Sequence, residues 1–208
     1  QVQSGRRKFL VVPLFFGQSR ALTSFIPDII GCLQKEFGPF GLTLADVLCP
    51  LPDGDQRLAR ILCDNIETTM RAHGIPRSRV ILVDHGSPTR EVAAVRELLA
   101  SQMRQILDPG ISLHEAVMER RPGSEYDFTG RLLEEVLDEL ASSEDDTPVV
   151  LSMLFLAPGR HAGSGGDITS IRDRVVAANP SLQAVITPLV GEHSGLVDIL
   201  KERLEQAL

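Results

Sequence analysis

Short apolar runs that alternate with helical stretches along the whole chain predict an α/β fold, an open parallel sheet flanked by helices. Two further observations support it. The runs are continuous in Val, Ile and Leu rather than alternating with polar residues, as in strands buried on both faces. The chain also repeats itself, which predicts two pseudo-repeated modules, the first of them incomplete.

In chain order, the predicted strands are "KFLVVPLFF" (8–16), "LTLADVLCPL" (42–51), "RVILVDHG" (79–86), "ISLHEAVME" (111–119), "PVVLSMLFLAP" (148–158) and "LQAVITPLV" (182–190). Among the helices, "TREVAAVRELLASQMRQIL" (89–107) has apolar residues at helical spacing, with Thr89 or Ser87 as N-cap and Pro88 suited to the first turn. "TGRLLEEVLDELASSE" (129–144) is amphipathic, and "SGLVDILKERLEQAL" (194–208) is a further helix.

The repeat has two blocks. "VVPLFFGQSRA" lines up with "LSMLFLAPGRH", pairing Leu14, Phe15 and Arg20 with Leu154, Phe155 and Arg160 at an offset of 140. "VLCPLPDGDQRLARIL" lines up with "VITPLVGEHSGLVDIL", pairing Val47, Pro50, Leu51, Leu58, Ile61 and Leu62 with Val185, Pro188, Leu189, Leu196, Ile199 and Leu200 at an offset of 138. Residues 79 to about 148 have no upstream partner, so the expected organisation is a degenerate, N-terminally incomplete module over 1–78 and a complete one over 79–208. Two parallel strands alone make a poor sheet. Either upstream residues precede Gln1, or the first module's strands join another sheet, and intermolecular contacts in a homo-oligomer become an expectation.

Composition excludes several classes. The longest apolar runs are about half the length of a membrane-spanning helix and no signal peptide is visible, so the expected location is the cytoplasm, with no membrane partner. A net charge of −7 with eight Phe and one Tyr, not interleaved with basic residues, argues against nucleic acid. Cys32, Cys49 and Cys63 have neither metal-knuckle nor disulfide spacing and read as reduced thiols with packing roles.

Ligands of open α/β sheets collect at the carboxyl ends of the strands. His85 follows "VILVD" and precedes the turn Gly86-Ser87-Pro88. Glu119 follows "LHEAVM" and precedes Arg120-Arg121-Pro122-Gly123. His161 follows "MLFLAPGR" and precedes the small-residue loop Ala162-Gly163-Ser164-Gly165-Gly166-Asp167. Two imidazoles and a carboxylate aimed at one sheet edge can hold a first-row divalent cation, and they can equally accept protons from a weakly acidic N–H.

Those segments resemble a known family. "VILVDHGSPTREVAAVRELL", "EAVMERRPG" and above all "LFLAPGRHAGSGGDI" followed by "ITPLVGEHSGLVDIL" are similar to the sirohydrochlorin cobaltochelatases and ferrochelatases of the CbiX type, class II chelatases of sirohaem and cobalamin synthesis. The resemblance runs over residues 79 to 208 and, degenerately, over 8 to 73. It implies a chelatase-like open parallel sheet and insertion of Co2+ or Fe2+ into the tetrapyrrole sirohydrochlorin, with no organic cofactor. It places the family's metal-binding and proton-accepting residues on His85, Glu119 and His161. The substrate's carboxylates would then be held by Arg160, Arg120 and Arg121 and by the amides of Gly163, Gly165 and Gly166. The resemblance leaves the metal open. It also leaves open a non-catalytic tetrapyrrole- or metal-binding paralogue acting in transfer or regulation.

The chain departs from the family pattern in two places. Ala21 stands where the repeat would put a second His161, so one active site is expected, in the second module, with the first as a wall or lid. Asp84 precedes the HG turn where a small residue is common, and its carboxylate would serve either metal capture or capping of a helix.

Overall fold

The computed structural model describes residues 2–208. Its elements run β1 (Lys8–Val11), α1 (Ile26–Phe37), β2 (Gly41–Leu44), α2 (Gln56–Ala72), β3 (Arg79–Asp84), α3 (Arg90–Ile106) and β4 (Ser112–Val117). They continue with α4 (Leu133–Ala141), β5 (Val149–Met153), α5 (Gly159–Ala162), α6 (Asp167–Ala178), β6 (Ala184–Ile186) and α7 (Gly195–Gln206). A π-helical turn at Ala21–Phe25 leads directly into α1, and a 3-10 segment spans Ser124–Thr129.

All strand pairs are parallel. The main sheet has the order β4-β3-β5-β6, while among the described residues β1 and β2 pair only with each other. Successive residues of the central strand point to opposite faces. Val80 and Leu82 therefore join a cluster with Leu58, Leu62 and Ile66 of α2, Leu99 and Met103 of α3, and Leu196 and Ile199 of α7. Ile81 and Val83 join the opposite cluster with Leu133 and Leu137 of α4 and Ile168 and Val175 of α6. The result is a sheet covered on both faces, which explains why β3 and β5 read as unbroken apolar runs. Helix α2, from the segment before residue 79, thus completes the layer over the main sheet.

The repeat is visible in the hydrogen bonds. Ala45 N donates to Val11 O at 2.9 Å and Thr187 N donates to Leu151 O at 3.0 Å. Leu48 N donates to Phe15 O and Val190 N to Phe155 O, both at 2.9 Å. Val11 and Leu151 are thus equivalent at the expected offset of 140, but Ala45 is equivalent to Thr187 and Leu48 to Val190, an offset of 142. The expected equivalence of Val47 with Val185 is corrected by four residues. The shared Pro-Leu pair had set that register, and in the first copy Pro50 and Leu51 lie in a longer loop before the helix. The helices keep the offset of 138, with Leu58 and Leu196, and Ile61 and Ile199, all buried.

One smaller expectation also changes. Cys49 and Cys63 are free and buried, and burial, more than the nearby Asp64 and Glu67 charges, pushes the Cys63 thiol up to about 12, as expected of inert packing groups. Cys32 is exposed on α1 and has no packing role. Among the described residues, no helix is long and apolar enough to cross a membrane.

Candidate active site

The pairing of β3 with β4 continues past the strands. Met118 N donates to Asp84 O at 2.9 Å and Glu119 N to His85 O at 3.1 Å, which sets His85 and Glu119 side by side. The turn after His85 needs its glycine. Gly86 has φ +89°, and a Cβ there would lie 2.0 Å from Glu119 O. Only a residue without a side chain lets the two strand ends approach so closely.

His85 and Glu119 are in contact through Nε2 and Oε1 at 3.5 Å, both side chains open to solvent. His85 Nδ1 lies 3.0 Å from Gly86 O. A carbonyl only accepts, so Nδ1 donates to it, and Nε2 is the nitrogen turned toward the Glu119 carboxylate. His161 sits on the single-turn α5 after β5, and its ring meets that of His85 edge to face, with centroids 4.7 Å apart. Its Nδ1 is 2.5 Å from Asp167 Oδ2, at the start of α6. The structure therefore brings His85, Glu119 and His161 to one edge of the sheet. Among the described residues, no three His, Cys, Asp or Glu side chains are grouped tightly enough to hold a metal ion.

Two hollows flank His85. One, of about 190 Å3, is lined by apolar side chains including Phe16, Val95, Leu154 and Phe155. The other, of about 120 Å3, lies among Ser87, Glu119, Arg120, Arg121 and Thr129. Phe16 comes from the first copy, so that segment forms a wall of the first hollow.

Beneath the HG turn, Asp84 accepts from Gly86 N at 2.9 Å and from Arg96 Nη1 at 3.2 Å. The expected helix cap is corrected: the N-cap position of α3 is Thr89, and the Asp84 carboxylate fixes the turn instead. Burial pushes the Asp84 carboxyl above its ordinary range, against the opposing charge of Arg96 and the hydrogen bonds from Gly86 and Arg96. Thr89 occupies the N-cap of α3 without a side-chain bond, Ser87 Oγ accepts from Thr89 N at 3.1 Å, and Pro88 precedes the helix rather than opening it.

The arginines differ in how committed they are. Arg160 is 84% exposed, 3.9 Å from Asp167. Arg120 donates to Gly130 O at 3.1 Å and lies 3.7 Å from Asp127, while Arg121 sits over the Tyr126 ring at 5.7 Å. The Gly166 amide is spent on Gly163 O at 2.9 Å, so the expectation that it faces a substrate carboxylate is corrected. Asp167 and Arg96 were not singled out from the sequence. A carboxylate six residues after a loop histidine is the one signal that marked Asp167.

The CbiX family model matches residues 79–207. No curated protein matches significantly. SirB from Bacillus subtilis, solved with Fe3+, is similar in structure with a TM-score of 0.73 at 18% identity, over 99% of this chain and 73% of that one. SirB from Bacillus subtilis subspecies spizizenii, a sirohydrochlorin chelatase in complex with cobalt, gives 0.66 at 17% identity, over 99% and 71%. CbiX, described as the terminal enzyme of sirohaem biosynthesis in denitrifying bacteria, gives 0.63 at 15%, over 100% and 79%. These likenesses establish the chelatase fold, and the family match covers well over half the chain. The chain is a member of the CbiX-type class II chelatase family.

Proposed function

We propose that the protein inserts a divalent metal, Co2+ or Fe2+, into sirohydrochlorin, with His85, Glu119 and His161 as the residues that receive the metal and the displaced pyrrole protons. The observation that carries this reading is the meeting of those three side chains at the carboxyl edge of the sheet, His85 touching both of the others. His85 turns its Nε2 toward Glu119, so that nitrogen and the carboxylate are placed to share one metal ion or one proton. Glu119 adds a carboxylate that offsets cationic charge beside it. The open grouping supports delivery rather than storage. A closed cage of donors would hold the ion as a resident, whereas a chelatase must release it to the macrocycle nitrogens. Arg160, Arg120 and Arg121 stand around this edge, where guanidinium groups suit the substrate's carboxylates despite the negative charge of the whole chain.

The test is a spectroscopic metallation assay with sirohydrochlorin and Co2+, Fe2+ or Ni2+, run on wild type, His85→Ala and His161→Ala. Acceleration over the spontaneous rate that is lost in both variants is the expected result. Binding of sirohydrochlorin with no acceleration by any metal would replace the reading with that of a carrier paralogue.

A further inference from the structure

We infer that Asp167 is a positioning residue that fixes the tautomer and direction of the His161 ring, and that the loop Gly163–Gly166 is shaped to deliver it. The consequence for turnover rests on the proposed chelatase reading, whereas the structural claim does not.

The hydrogen-bond chemistry is restrictive. An ionised carboxylate only accepts, so Asp167 Oδ2 at 2.5 Å requires the proton on His161 Nδ1. Nε2, on the far side of the ring, is left as the free acceptor. Both imidazoles at this edge therefore carry Nδ1–H, one directed to the Gly86 carbonyl and the other to the Asp167 carboxylate. The carboxylate also restrains the ring in the edge-to-face contact with His85. A partner of this kind on the second nitrogen of a working histidine sets which nitrogen is available.

The glycines account for how Asp167 arrives. A Cβ on Gly166 would lie 2.7 Å from both Arg160 O and His161 O. The loop thus folds back directly onto the carbonyls of α5, and its own Gly166 N–H closes the return by donating to Gly163 O. The return brings the first residue of α6 against the His161 ring.

The internal repeat supplies an independent comparison. In the first copy the π-helical turn at Ala21–Phe25 runs into α1 without interruption, whereas the second copy breaks between α5 and α6. At the offset of 140, Ala21 replaces His161 and Pro27 replaces Asp167. Histidine and helix break are present together in one copy and absent together in the other. An aspartate, Asp28, stands in the first turn of α1 as Asp167 does in α6, so what the second copy adds is the histidine and the break that brings the two side chains together.

The experiment is a long-range 1H–15N correlation spectrum of histidine-labelled protein, recorded without metal or tetrapyrrole on wild type, Asp167→Asn and Asp167→Glu, with His161→Ala to assign the signals. Wild-type His161 is expected as the Nδ1–H tautomer. Asp167→Asn, whose amide NH2 donates to Nδ1, is expected to shift it toward Nε2–H and to lower the metallation kcat roughly 10–100-fold, and Asp167→Glu to restore part of both. An Nε2–H tautomer in wild type, or a tautomer unchanged in Asp167→Asn, overturns the inference. Absence of metallation by wild type overturns the proposed function instead, since the tautomer is read without substrate.

Discussion

Arg96 and Asp84 form a buried ion pair directly below the His85 turn, with Nη1 3.2 Å from Oδ1 and only 3% of the Arg96 side chain exposed. The same guanidinium donates through Nη2 to Thr129 O at 2.8 Å and sits 3.5 Å from Glu115 Oε2. One side chain in the middle of α3 thereby ties the end of β3 to β4 and to the segment that follows Glu119. The site is held from below by a charge that never reaches it.

Arg96→Met is expected to be strongly destabilising. It would leave Asp84 buried without its cation, which costs about 3–5 kcal/mol when one partner of a buried pair is removed. The double variant Arg96→Met with Asp84→Asn should recover part of that loss, because no unpaired charge remains. Urea unfolding free energies for the two variants and wild type measure both effects. A single variant within about 0.5 kcal/mol of wild type, the range of an ordinary surface change, would show that the pair is not buried as described.

Gly86→Ala is expected to separate the two strand ends. Alanine at φ +89° carries a left-handed backbone penalty of about 1–2 kcal/mol, and its methyl would collide with Glu119 O at 2.0 Å. Since about 1 kcal/mol shifts the melting temperature of a chain this size by roughly 2–4 °C, a loss of at least several degrees follows. Metallation should fall with it, because the contact of His85 with Glu119 depends on that approach. An unchanged melting curve would contradict the close approach.

How much of this was readable beforehand follows from where each signal resides. β3 and β5 were legible because burial on both faces leaves no polar alternation to confuse them with surface strands. His85, Glu119 and His161 were legible because strand ends mark them without knowledge of packing. The equivalence of Leu48 with Val190 was not, because the longer loop after β2 contains a Pro-Leu pair that imitates the one after β6. Arg96 was hidden in an amphipathic helix, where an arginine reads as a solvated charge until its carbonyl and carboxylate partners are seen. Asp167 was visible but silent: six residues from a histidine mean nothing until the glycine loop is known to return on itself.

The segment before residue 79 is expected to share its acid sensitivity with the end of the chain through Asp55 and Arg203. Arg203, on α7, donates to Asp55 Oδ2 at 2.7 Å and to Val47 O at 2.8 Å. Burial would push the Asp55 carboxyl up, but the hydrogen bonds from the Arg57 side chain and backbone outweigh it, with the charges of Arg57 and Arg203, and hold it below the ordinary carboxylate value. A depressed native pKa means that the unfolded chain binds the proton first as pH falls. The stabilisation is therefore complete above the ordinary carboxylate value, near about pH 4, and is lost as pH drops through the lower native one. Asp55→Asn should be less stable at neutral pH by about 1.5–3 kcal/mol, the range for a hydrogen bond to a charged group, and should approach wild type in acid. Urea unfolding of both proteins from pH 7 down to about pH 2 checks this. Curves that stay parallel over that span would mean that Asp55 is not the group linking α7 to the loop before α2.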